Sequence, residues 1–187
     1  MTEKIALLIF ASIWGILLAV PAVTLAYSLY KDRPKKQAGI ITNFLIAAPY
    51  VFVFSLFYLD SYFGVYEGND ALRISGAVVA VLGMAGYLLS HLYLRRNWSL
   101  LASVREGHRL IVVGPYRFVR HPMYSSMTAT VLGSGLLVDN WAIIASTVIV
   151  GCAYYFRARK EETLLTEEFP EYRQYARKTK MFIPGIF

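Results

Sequence analysis

The sequence predicts an all-α, polytopic membrane protein: five transmembrane helices with a polar C-terminal region on the cytoplasmic side. Three observations carry this. Of the 187 residues, 57% are apolar and only 17% are charged, against about a quarter charged in a typical soluble domain. Five windows carry no formal charge. The Lys and Arg residues fall almost entirely in the segments that five crossings would place on one side. The composition excludes intrinsic disorder and a coiled coil. A single cysteine, Cys152, excludes a disulfide framework and a thiolate zinc site.

The windows run in order from Lys4 to Lys31 (26 uncharged residues), Lys36 to Asp60 (23), Arg73 to Arg95 (21), Arg120 to Asp139 (18) and Asp139 to Arg157 (17). About 20 mostly apolar residues suffice to cross a bilayer as a helix. The first run is longer than the ~7–15 apolar residues of a cleavable signal peptide. The last two windows are short and separated only by Asp139-Asn140, which reads as the turn of a tight helical hairpin. Small residues across 125–135 (Ser125, Ser126, Thr128, Thr130, Gly133, Ser134, Gly135) favour close helix packing. Residues 1–94 thus form three spans with the N-terminus outside. Residues 95–187 hold a cytoplasmic loop, the hairpin and the C-terminal helices.

Five spans place 17 of the 19 basic residues on the cytoplasmic side, in the first loop, in 95–120 and after Arg157. Only Lys4 and Arg73 fall opposite, beside Asp60, Glu67, Asp70 and Asp139. Membrane topology therefore explains the net charge of +7, with no nucleic-acid partner. No His or Cys pair has metal-ligand spacing, and no metal is expected. His91, in the third span, reads as a packed histidine near a helix end, and Cys152 as inert packing.

Polar mass concentrates in 95–120 and 157–187. Within the run 114–124, Gly114-Pro115 reads as a turn. Pro122 suits the first position of a helix, which makes His121 its N-cap. Free backbone N–H groups at Met123 and Tyr124 would attract an anion, with His121 and Tyr124 adding side-chain donors. The same residues also describe the ordinary start of a membrane helix, with Arg117 and Arg120 as interfacial anchors. Arg157 and Glu161 lie four apart on one helix face, which fits a site or a snorkelling arginine in a surface pair. That helix is expected to end near Phe169. A short helix from Glu171 to Arg177 should follow, burying Tyr172, Tyr175 and Ala176, with Met181–Phe187 packed back.

In these motifs the chain resembles the isoprenylcysteine carboxyl methyltransferase family and its prokaryotic members. The shared residues are His108-Arg109-Leu110-Ile111, Gly114-Pro115-Tyr116 and Arg120-His121-Pro122-Met123-Tyr124. After the hairpin come Arg157, Glu161-Glu162, Leu164-Leu165, Glu168-Phe169, Glu171-Tyr172, Tyr175 and Ile183-Pro184. The resemblance covers residues 97–187. Leu101 stands where eukaryotic members carry Gln, and Phe169-Pro170-Glu171-Tyr172 is one residue shorter than the common pattern.

The resemblance implies an integral-membrane methyltransferase that uses S-adenosylmethionine at the cytoplasmic face of a prokaryotic inner membrane. His108, Arg109, Leu110, Ile111 and Tyr116 would line the cofactor pocket. His121, Pro122, Met123, Tyr124 and Glu161 would bind the cofactor, and Arg157 would meet the substrate and carry catalysis. The methyl acceptor would be lipid-linked or membrane-dissolved, among membrane lipids. A carboxylate acceptor is already ionised at pH 7, with a reference pKa near ~3.5, so it needs no general base. Positioning such a group for in-line attack is worth roughly 7–11 kcal/mol. Arg157, a permanently charged bidentate fork, suits that task. Rival readings are a methyltransferase of a phospholipid amine or small thiol, with Glu162, Glu168 or His91 as base, an NADPH-dependent sterol-type reductase, and a non-enzymatic scaffold.

Overall fold

The computed structural model describes residues 3–31, 36–37, 53, 55–56, 69–94, 103–104 and 109–186. Five α-helices organise them: α1 (Glu3–Lys31), α2 (Asp70–Leu94), α3 (Pro122–Leu137), α4 (Trp141–Glu168) and α5 (Tyr172–Lys178). A 3-10 turn, Gly114–Arg117, precedes α3. Among the described residues, three helices are long and apolar enough to cross a membrane: α1 through its Glu3–Val20 stretch, α2, and α4. The fourth expected span, α3, is a 16-residue helix. At 1.5 Å per residue it is about 24 Å long, short of a ~30 Å hydrocarbon core. The second expected window, 37–59, lies outside the described residues apart from Gln37, Val53, Ser55 and Leu56.

Small residues bring α2 and α3 together. They run antiparallel with backbones nearly touching. A Cβ on Gly76 would strike Leu137 N at 2.3 Å, one on Gly133 would strike Ala80 N at 2.3 Å, and one on Gly83 would strike Thr130 Oγ1 at 2.5 Å. Gly76, Ala80, Gly83 and Gly86 recur every three or four residues, so one face of α2 is almost without side chains. Side chains from the Ser- and Thr-rich face of α3 fill it. The exposed large apolar residues, among them Leu8, Leu82, Leu92, Val148, Ile149 and Phe156, form the outward faces of α1, α2 and α4.

The hairpin turn forms at Asp139-Asn140. Asp139 takes a left-handed φ of 57°, which Asp tolerates better than most residues. Asn140 caps α4 by accepting from Ile143 N at 2.8 Å, while its own N–H donates to Gly135 O at 2.8 Å. From this turn α3 and α4 run back to the end of the molecule where α2 finishes. A two-residue antiparallel ladder pairs Lys36–Gln37 (β1) with Ser103–Val104 (β2). On the far side of the helices, α1 docks through buried Phe10, Trp14 and Leu17, with Trp14 Nε1 donating to Ser134 Oγ at 3.1 Å.

Candidate active site

The site assembles where α3 begins and α4 is in its fifth and sixth turns. Pro122 is the first residue of α3 and His121 its N-cap, as the motif predicts. One expectation needs correction. The Tyr124 N–H is not open to an anion, because it donates to His121 O at 3.1 Å. A tight i→i+3 bond closes the first turn and satisfies a donor that would otherwise be orphaned.

Tyr124 projects from this turn onto α4. Its hydroxyl accepts from Arg157 Nε at 2.7 Å and donates to Glu161 Oε1 at 2.6 Å. Arg157 Nε lies 3.2 Å from the same Glu161 oxygen. The i,i+4 spacing predicts the Arg157–Glu161 pair, but its setting differs from a snorkelling surface pair. The Arg157 side chain is 0% exposed and that of Glu161 22% exposed. The first turn of α3 lies against the guanidinium through Tyr124. Tyr154, one turn before Arg157, stacks on Tyr124 with ring centroids 4.8 Å apart.

His121 sits between two successive carboxylates of α4. Its Nε2 is 3.3 Å from Glu162 Oε1, and its Nδ1 is 3.7 Å from Glu161 Oε2. Arg120 Nε donates to Glu162 Oε1 at 2.6 Å. Arg120 is therefore not merely an interfacial anchor. Its Nη1 also donates to the carbonyls of Ala176 and Thr179, where α5 ends. The chain beyond α5, expected to pack back over Met181–Phe187, does so as far as Phe182, and Ile183 and Ile186 are exposed. Arg120 N donates to Lys180 O at 2.8 Å, His121 N to Met181 O at 3.0 Å, and Ser125 Oγ to Phe182 O at 2.8 Å.

Tyr116, in the 3-10 turn, is held by its backbone, whose carbonyl accepts from Tyr175 Oη at 2.6 Å. Its own hydroxyl is buried and has no hydrogen-bond partner among the described residues. Burial, then the charge of Glu161, pushes this phenol well above the usual range, so Tyr116 remains a neutral donor. Pro122 and Met123 are buried at the start of α3. Leu110 and Ile111 are half-buried in the chain leading to the turn, and Arg109 is exposed there. His108 and Leu101 lie outside the described residues. Tyr154 and the Arg120–Glu162 tie were not singled out as site components from the sequence. Cys152 is exposed on α4 rather than packed. His91 is half-buried and stacks on Tyr87 at 6.1 Å. Among the described residues no group of acidic, His or Cys side chains could hold a metal.

Comparison with known proteins converges on this region. A cobalt-zinc-cadmium resistance protein, CzcN of Cupriavidus metallidurans, is 33% identical over 111 residues, covering 58% of this chain and 50% of the relative. The protein-S-isoprenylcysteine O-methyltransferase of Schizosaccharomyces pombe is 30% identical over 138 residues, covering 72% of this chain and 52% of the relative. The chain spans about half the length of these curated relatives. In structure it is similar to a eukaryotic intramembrane Ras methyltransferase, isoprenylcysteine carboxyl methyltransferase. The TM-score is 0.56 at 22% identity, over 75% of this chain and 52% of that one, which shows a shared fold. The phospholipid methyltransferase family profile matches residues 71–172, a stretch that contains α2, the turn, the hairpin and every residue of the Arg157–Glu161–His121 cluster. The resemblance read from the motifs holds, and the chain is an integral membrane protein that belongs to the phospholipid methyltransferase family.

Proposed function

We propose that this chain is an S-adenosylmethionine-dependent methyltransferase of the isoprenylcysteine type, acting on a lipid-linked carboxylate at the membrane surface. One observation carries the reading: Tyr124, Arg157, Glu161 and His121, drawn from two distant segments, form a single cluster of hydrogen bonds, ion pairs and stacked rings. The residues suit the cofactor. The buried Tyr116 hydroxyl is a donor without a partner among the described residues, and Glu161 is a partly exposed carboxylate able to accept from hydroxyl or ammonium groups. Tyr116, His121 and Glu161 would hold it, with Pro122 and Met123 shaping the apolar side. When bound, S-adenosylmethionine supplies an electrophilic methyl group.

The residues of the chain position and desolvate the acceptor. Arg157 is buried and stays charged, so a carboxylate reaching it leaves water for a fixed cation. Tyr124 and Glu161 hold the Nε side of the guanidinium and fix its orientation. Apolar outward faces of α2 and α4 suit a lipid-borne substrate arriving from the side. The ladder between the 36–37 and 103–104 segments joins two of the basic connections, which supports a cytoplasmic site and five spans with the N-terminus outside.

The family description favours a second reading, methylation of a phospholipid amine. An ammonium acceptor must first lose a proton. Glu162, the closest carboxylate after Glu161, is tied to both Arg120 and His121, which makes it a poor base. A transfer assay with methyl-labelled S-adenosylmethionine separates the two. Label should enter a prenylcysteine as a base-labile ester. Label in phosphatidylethanolamine instead would install the amine reading, and label in neither would remove the isoprenylcysteine assignment.

A further inference from the structure

Two pairs of neighbours in the sequence, Arg120-His121 and Glu161-Glu162, interlock. Successive residues of a helix point about 100° apart, so Glu161 faces Arg157 and Tyr124 while Glu162 faces Arg120. His121 reaches both carboxylates unequally. Its Nε2 is within hydrogen-bond distance of Glu162 Oε1, at 3.3 Å, whereas Nδ1 is 3.7 Å from Glu161 Oε2, beyond a direct bond. The ring has little freedom to turn. It stacks on Tyr124 at 5.6 Å with planes 10° apart, and Phe182 lies against it at 5.9 Å. Glu162 is itself fixed, because Arg120 is braced by the carbonyls of Ala176 and Thr179.

We propose that Glu162, braced by Arg120, is a positioning residue that fixes the tautomer of His121: Nε2 carries the proton and donates to Glu162, and Nδ1 is presented as an acceptor beside Glu161. The hydrogen bond made by one ring nitrogen sets the state of the other. A carboxylate that already holds one donor from Arg120 requires a proton on the imidazole nitrogen facing it. Nδ1 then offers a lone pair to a donor in the site. On the functional reading above, which this part of the inference rests on, that donor is a hydroxyl or ammonium of the cofactor. The C-terminal segment thereby acts on the site without touching the reacting groups.

Nitrogen-15 spectroscopy of the full chain, labelled at its three histidines in detergent micelles at about pH 8, reads the tautomer directly. His121→Asn assigns the signal. The wild-type signal should show the neutral Nε2–H pattern. Glu162→Ala should convert it to a mixture of tautomers, and Glu162→Gln, whose amide oxygen still accepts, should restore it. Affinity for S-adenosylmethionine should fall about tenfold in Glu162→Ala and recover in Glu162→Gln. An Nδ1–H or doubly protonated ring in the wild type overturns the proposal, as does a pattern unchanged by Glu162→Ala. The wild-type spectrum decides even if the Ala variant fails to fold. If S-adenosylmethionine binds to no form while the tautomer shifts as described, the functional reading fails and the positioning role stands.

Discussion

The Tyr124 hydroxyl and Arg157 Nε, 33 residues apart in the chain, meet at 2.7 Å inside the protein, and the same hydroxyl donates to Glu161 at 2.6 Å. One phenol therefore connects the start of α3 to both charged members of an ion pair on α4. Burying a guanidinium is costly unless it is paired and hydrogen-bonded, and this contact supplies part of the compensation.

Tyr124→Phe should destabilise the protein by about 1–3 kcal/mol, the cost of leaving a buried donor with a lost partner. Thermal unfolding in detergent checks this. An unchanged midpoint would mean that Arg157 finds its compensation elsewhere.

Arg157→Ala should abolish methyl transfer while affinity for S-adenosylmethionine stays within a few-fold of wild type. Glu161 keeps its bond from Tyr124 and is partly exposed, so it tolerates the loss of its cation. Arg157→Lys should not restore turnover, because an ammonium cannot reproduce a planar fork. Normal turnover in either variant, measured beside the binding isotherm, would remove Arg157 from the acceptor site.

Helix packing predicts opposite outcomes for Gly133, in the seam between α2 and α3, and Gly151, on α4. Gly133→Val drives a side chain into the Ala80 backbone and should cost at least ~1–3 kcal/mol. Gly151→Ala meets only the Thr128 methyl at 3.9 Å, an ordinary contact, and should be neutral or stabilising by up to ~1 kcal/mol. Paired melting curves decide, and a neutral Gly133→Val would contradict the close approach of the two backbones.

Alkaline pH should loosen the C-terminal clasp. Burial pushes the Tyr175 phenol up to about 12, against Arg120 and Thr179, which draw it down. Its folded value therefore lies above its unfolded value near 10. Between these values the unfolded chain has released a proton that the folded chain retains. The contribution is complete below about pH 10 and is lost as pH rises towards 12. Stability measured against pH should fall across that window, and less steeply in Tyr175→Phe.

Local chemistry made much of this legible from the residues. Pro122 behind His121 marked a helix start, Asp139-Asn140 a turn, and the four-residue spacing of Arg157 and Glu161 a shared face. Each of these depends on neighbours within one helical turn. Burial of Arg157 was not legible, because it depends on how closely another helix approaches. Glu162 and Arg120 were similarly opaque. Arg120 reads alone as an interfacial anchor and Glu162 as a candidate base, and only the fold brings them into one network with the C-terminal segment past Lys180. The closed first turn of α3 reflects hydrogen-bond geometry that residue types do not specify.

Calorimetric titration of the purified chain with S-adenosylmethionine, and separately with NADPH, tests most directly whether the cluster at the start of α3 and on α4 is a cofactor site. The wild type should take up S-adenosylmethionine and give no heat with NADPH, and Glu161→Gln should weaken binding about tenfold. No binding of S-adenosylmethionine, or an affinity that Glu161→Gln leaves unchanged, would contradict the account.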